Sequence, residues 1–174
     1  MTPLGHIAIG YTSQSLSHKL LLPALITGSL LPDIDFLLLP LEAFNSLHRS
    51  FTHSLAFIVP AAAILTAFPQ IRRKKAFFLS MLIGGLMHLF ADSVIDNNAT
   101  NGVGVPLLYP ISEAFFSPFN LAFPTPDFQA GWSKPLQQLD YSARDMIWEV
   151  PFYAMAGWIW WKKQRRDMEA TSAE

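Results

Sequence analysis

The sequence predicts an all-α protein: an integral membrane helical bundle of about five helices, with a long Pro/Asn-rich loop between the fourth and fifth. Three observations carry that expectation. The chain of 174 residues is 51% apolar and only 14% charged, whereas soluble domains carry about a quarter charged residues. Eight of its 12 Lys and Arg fall in two short clusters, Arg72, Arg73, Lys74, Lys75 and Lys162, Lys163, Arg165, Arg166, and each follows an apolar segment. Trp158, Trp160 and Trp161 stand just before the second cluster, where an aromatic belt meets the membrane interface. The alternative is a soluble helical bundle with very apolar cores, because most segments fall short of the roughly 20 residues of a perpendicular span.

The elements follow in order as one domain, 1–174. The first helix is expected over about Pro3 to Ser17, interrupted by the polar run Thr12 to Ser15. The second runs from about Leu20 to Leu31 and stops at Pro32, whose ring disfavours helix in the preceding residue. The third covers about Ser54 to Phe68 and ends at Pro69. A fourth spans Ala76 to about Ile95, and a fifth about Ala143 to Trp161. Between Asp96 and Ser142 lie six Pro, four Asn and three Gly. Periodicity fails there, and Phe115, Phe116, Phe119 and Phe123 make the segment too apolar for a solvated linker. It is expected to fold back over the helices or onto the membrane surface.

Near-zero net charge gives no electrostatic reason for nucleic acid as a partner. The absence of Cys excludes a disulfide framework and thiolate zinc sites. The first ten residues lack a basic stretch and a clear cleavage site, so a removable signal peptide is not expected. If both basic clusters are cytoplasmic, the helices alternate so that His6, Asp33, Asp35, His48, His53, His88, Asp92, Asp145 and Glu149 all fall near the non-cytoplasmic end. The C-terminus is then cytoplasmic. That topology uses only basic residues and hydrophobicity, so the gathering of ligand-type side chains is an independent outcome.

Each candidate has a plainer reading beside the functional one. His88 and Asp92, four apart, share one helix face and can grip one ion; alternatively His88 makes a core hydrogen bond and Asp92 ends the helix. Asp33 and Asp35 follow an apolar segment, where carboxylates are costly and tend to be functional, although solvated acids at a helix stop would look the same. In His48-Arg49-Ser50-Phe51-Thr52-His53-Ser54, Ser50 or Thr52 is expected to cap the third helix. Its free N–H groups, with Arg49, suit an anion such as a phosphate ester; an interfacial cap with a snorkelling Arg is the alternative. His6 is a ligand by position and a structural His by default. Asp145 and Glu149 are further candidates, with Arg144 offering Asp145 an ordinary ion pair. His18 lies apart from the rest. His and carboxylate donors suit Zn²⁺, Mn²⁺ or Fe²⁺, as one ion or two. The His-Glu-x-x-His, Gly-x-Ser-x-Gly and phosphate-loop signatures are absent, which weighs against protease, serine hydrolase and triphosphatase readings.

An early His, then Leu31-Pro32-Asp33-Ile34-Asp35, then His48 through Ser54, then His88-x-x-x-Asp92 resembles the membrane-bound metal-dependent hydrolase family. These are the YdjM-like proteins, some described as LexA-binding, inner membrane-associated hydrolases. The resemblance runs from His6 to about Ser112 and includes Asn101-Gly102-Val103 through Tyr109-Pro110. It implies metal or catalytic roles for His6, Asp33, Asp35, His48, His53, His88 and Asp92, and a bacterial inner or plasma membrane location. A more distant similarity links the chain to the helical zinc-dependent phospholipase C and P1 nuclease group.

The function expected is therefore a membrane-bound metal-dependent hydrolase. It carries one or two divalent ions, zinc or manganese, and has catalytic roles for Asp35, Arg49 and Asp92. A general base is expected among Asp35, Asp92 and Glu149. The partners expected are membrane lipid and an anionic small-molecule or lipid substrate, a phosphoester among them. The rival is a non-catalytic membrane protein, either a metal or proton transporter or a metal-stabilised scaffold.

Overall fold

The computed structural model describes residues 1–38, 48–96, 103–121 and 135–172, with side chains of 135–145 and 172 outside that description. All regular structure among these residues is helical, and a single antiparallel bridge joins Val105 to Phe116. The α-helices are α1 (Pro3–Ser13), α2 (Leu22–Leu30), α3 (Leu55–Ala67), α4 (Lys74–Val94) and α5 (Pro135–Ser172). Short 3₁₀ turns occupy Gln14–Leu16, Pro32–Leu38 and Phe51–His53.

Local chemistry sets the boundaries. Thr2 caps α1, accepting a hydrogen bond from the Gly5 N–H, and Pro3 takes the first helical position, where its missing N–H costs nothing. The helix ends four residues earlier than expected. Thr12 and Ser13 both donate to the Ile9 carbonyl and Ser15 donates to that of Thr12, hydroxyl bonds that compete with the helical ladder. At the start of α2 the Leu21 N–H finds the Ser80 hydroxyl of α4 at 2.8 Å.

The fifth helix is much longer than Ala143 to Trp161. Its basic cluster does not end it: Lys162 lies over Trp158 at 4.8 Å and Arg165 over Trp161 at 4.3 Å. Such cation–π pairs, four residues apart on one face, support a helix rather than stop it. At its other end it begins at Pro135, so the long connection is shorter than the composition suggested. Of that connection, 97–102 and 122–134 lie outside the described residues, Phe123 and the Asn101-Gly102 pair among them.

At 1.5 Å per residue α4 is about 32 Å long, whereas α1 and α2 are roughly 16 and 14 Å. Among the described residues α4 is the one helix long and apolar enough to cross a membrane, with α3 apolar but shorter. The closest crossing is that of α2 on α4. A Cβ at Gly28 would strike the Met81 backbone, and one at Gly84 would strike the Leu25 carbonyl and lie 2.8 Å from the Ser29 N. Ala24, Ala62 and Met81 form the core beside this crossing, and Ile58, Leu89 and Val105 form a second cluster toward the far end of α4.

That far end carries the carboxylates and imidazoles. From Lys74 to His88 is about 21 Å along α4, and α5 is anchored beside Thr2 of α1 through Glu149. Lys19, Arg72 to Lys75 and Lys162 to Arg166 therefore lie toward the opposite end of the helices.

Gly84→Ala is expected to lower stability by about 1–3 kcal/mol through overpacking. Gly157→Ala, where the added Cβ meets nothing within 4 Å, should be neutral or slightly stabilising. Unfolding midpoints of the two variants in detergent compare them directly, and equal midpoints would contradict the close crossing.

Candidate metal centre

The structure brings five of the predicted residues to one point: His6 from α1, Asp33 from the turn after α2, His53 before α3, and His88 with Asp92 from α4. His53 Nε2 and His88 Nε2 are 3.1 Å apart. Asp92 Oδ2 is 3.4 Å from the first and 3.2 Å from the second. Asp33 Oδ1 stands at 3.7 and 3.8 Å from the same two nitrogens. Atoms bound to one ion at 2.0–2.2 Å lie about 3 to 3.5 Å from one another, the range of the His53, His88 and Asp92 donors. On the other side, His6 Nε2 is 3.3 Å from Asp92 Oδ1 and 3.9 Å from Asp33 Oδ2. Its ring stacks on that of His88 at 3.6 Å.

Hydrogen bonds assign the tautomers. A carbonyl only accepts, so His88 Nδ1 donates to Ser29 O at 2.7 Å and its Nε2 is the nitrogen turned toward His53. The Thr52 hydroxyl donates to Asp35 Oδ2 at 2.9 Å. With its one proton committed, it accepts from His53 Nδ1 at 3.1 Å. The two Nε2 atoms therefore face each other, with both Nδ1 atoms turned outward to oxygens. Burial pushes His53 down to about 3, so its ring is neutral at physiological pH. Burial also raises the Asp33 carboxyl above its ordinary value, more than the His88 charge lowers it.

These donors fit a metal ion. His6 Nδ1 and Nε2 and Asp33 Oδ2 are buried without a hydrogen-bond partner; an ion would relieve the His6 Nε2 and the carboxylate oxygen. His53 and His88 each commit Nδ1 to an oxygen and aim Nε2 inward, as ligating histidines do.

Asp35 and His48 do not belong to either group of converging donor atoms, which are His6, Asp33, His88 and His53, His88, Asp92. Instead His48 Nδ1 donates to Asp35 Oδ1 at 3.1 Å, and Asp35 Oδ2 accepts from the Arg49 N–H and from Thr52. Burial works to raise the Asp35 carboxyl, but the His48 hydrogen bond and charge outweigh it and hold the group below its usual range. Asp35 is thus the knot of the 48–53 turn, one hydroxyl removed from His53.

The capping expectation is corrected. Neither Ser50 nor Thr52 caps α3; its N-cap is Ser54, without a side-chain cap bond, because Thr52 is engaged with Asp35. Arg49 is not a free anion receptor either. It is buried, its Nη1 pairs with Asp96, and its Nε stands 3.9 Å from Asp92 Oδ2. Its φ of +59° is uncommon for a side chain of this size and marks a strained turn.

Glu149 is fully buried but apart from the donor groups. It accepts from the Thr2 N–H, the Thr2 hydroxyl and Tyr153, holding the start of α1 and hence His6. The side chains of Arg144 and Asp145 lie outside the described residues.

Three participants escaped the sequence reading. Asp96 pairs with Arg49 and accepts from the Gly104 N–H at 2.7 Å; its spacing of four from Asp92 was the available signal. Ser29 acts through a carbonyl, which leaves no mark in a sequence. The Met1 ammonium meets Asp92 Oδ1 at 2.9 Å.

A family model for the YdjM inner membrane protein matches residues 1–166. The chain belongs to the YdjM inner membrane protein family. The inner membrane protein YbcI of Escherichia coli (strain K12) is 30% identical over 165 residues, 91% of this chain and 92% of that protein. No solved structure matches. As a YdjM-family member the chain is a membrane protein, all-helical in its described residues. Its buried His and Asp groups could hold a metal ion.

In this YdjM-family chain, Asp96→Asn would strand a buried guanidinium, which is expected to cost about 3–5 kcal/mol. The double replacement Arg49→Met, Asp96→Leu should cost less than that single one. Thermal unfolding of both in detergent decides it, and an unchanged midpoint in Asp96→Asn would remove the ion pair from the account.

Proposed function

We propose that the chain is a metal-dependent hydrolase embedded in the membrane as a five-helix bundle, with its site at the non-cytoplasmic face. One observation carries the reading: two imidazole nitrogens and a carboxylate oxygen converge across 3.1–3.4 Å, with both Nδ1 atoms already committed. A divalent ion there, zinc or manganese for this donor set, would supply Lewis acidity and lower the pKa of water.

The chain's own residues do the rest. His53, His88 and Asp92 would hold the ion, with His6 and Asp33 beside them. Asp35 and His48 act as positioning residues, fixing Thr52 and through it the His53 ring. Arg49, anchored by Asp96, keeps positive charge beside Asp92 and so holds that carboxylate ionised at the centre. Asp35 is a poor proton acceptor, because three donors satisfy it and its carboxyl is held low.

The substrate class we favour is a phosphoester, lipid-linked rather than freely soluble. Exposed apolar side chains flank the ligands along the chain: Ile34 and Leu37 beside Asp33 and Asp35, Phe51 before His53, and Ile111 in the segment joined to α3. Apolar groups around a polar centre suit a ligand with a charged head and an apolar tail. The ligands also lie at one level; a transport path would string polar groups through the apolar depth.

Metal analysis of detergent-purified protein is expected to find zinc or manganese, lost in His53→Ala and in Asp92→Ala while both still insert. Hydrolysis of a phosphoester lipid in mixed micelles should stop with chelator and return with metal. Bound metal without hydrolysis would leave a structural or transport role.

For orientation, the basic clusters put the C-terminus in the cytoplasm. The chain has no Cys, so single replacements report cleanly. Glu113→Cys is expected to react with an impermeant thiol reagent added outside the membrane, and Thr171→Cys only after permeabilisation. The reverse pattern would invert the topology.

A further inference from the structure

Asp33 and Asp92 each divide their two oxygens between different imidazoles. Asp92 turns Oδ2 to His53 and His88, and Oδ1 to His6 at 3.3 Å. Asp33 turns Oδ1 to His53 and His88, and Oδ2 to His6 at 3.9 Å. Two carboxylates on different elements, split in the same sense, divide the centre into two half-sites. One is lined by His53 Nε2, His88 Nε2, Asp92 Oδ2 and Asp33 Oδ1. The other is lined by His6 Nε2, Asp92 Oδ1 and Asp33 Oδ2.

A single ion does not account for the second half-site. His6 is wholly buried, and both of its ring nitrogens lack a hydrogen-bond partner, as does Asp33 Oδ2. Leaving His6 Nε2 and Asp33 Oδ2 desolvated without a partner is unfavourable, and an ion on that side would satisfy both. His88 cannot serve both half-sites, because its Nδ1 is committed to Ser29 O and one nitrogen lone pair binds one ion.

We infer that the centre takes two divalent cations bridged by Asp33 and Asp92, the first completed by His53 and His88 and the second by His6. The inference rests on the metal-centre reading above and goes beyond it in ion number and in the roles of Asp33, Asp92 and His6.

The test is Mn²⁺ reconstitution of the detergent-purified full chain, read by metal stoichiometry and electron paramagnetic resonance. Two ions per wild-type chain, with the spectrum of an exchange-coupled pair, are expected. His6→Gln should keep one ion per chain and show an isolated Mn²⁺ spectrum. Circular dichroism and size-exclusion behaviour confirm that the variant is folded, and the wild-type spectrum is decisive by itself should the variant not be. One ion in the wild type, unchanged in His6→Gln, would overturn the pair and leave the single-metal reading standing. Two uncoupled ions would likewise overturn the bridge. No bound Mn²⁺ or Zn²⁺ in the wild type would sink both.

Discussion

Two imidazole nitrogens face each other at 3.1 Å in a buried site beside two carboxylates, and most of the far end of this molecule is arranged to keep them there. His88 is held from behind by the Ser29 carbonyl, and His53 by Thr52, which is itself held by Asp35. Neither ring can turn away without leaving an N–H unsatisfied in a buried place, at a cost of about 1–3 kcal/mol. Asp92 and Asp33 then add negative charge to the same space. The sign of whatever occupies it is fixed by the protein, whatever its identity.

Around this constraint the elements divide the labour. The helix α4 supplies two donors from one face, and short turns supply Asp33 and His53. Glu149 ties the start of α1 to α5 and so places His6. Arg49 offsets part of the negative charge from one side, with Asp96 keeping its guanidinium buried. The turn that delivers it adopts a backbone geometry that arginine rarely takes up. These are costs that a purely structural helix bundle would have no reason to carry.

How much of this could be read from the sequence depends on periodicity. The register of His88 and Asp92 was legible because a helix has fixed spacing, and the ends of α2 and α3 because proline marks them. Asp33 and Asp35 looked equivalent, yet they do different work. In a 3₁₀ turn, with three residues per turn, residues two apart point in different directions, so one reaches the centre and the other the 48–53 turn. His48 and His53 separate for a similar reason, across a bend centred on Arg49. The overrun of α5 past Trp161 was missed because a basic cluster reads as a boundary, whereas here it stacks on the preceding tryptophans. The membrane class rested on composition and survives; the count of residues in each helix did not translate into full spans for α1 and α2.

The glycine crossing of α2 and α4 has a further consequence. Ser29, whose carbonyl orients His88, is the neighbour of Gly28, and its N lies 2.8 Å from where a side chain on Gly84 would begin. The contact that sets the helix separation and the contact that aims the ligand are thus one residue apart, like the pivot and the tip of a caliper. A bulkier residue at either glycine would therefore move the Ser29 carbonyl as it spread the two helices, and the aim of the His88 ring is tied to the spacing of α2 and α4.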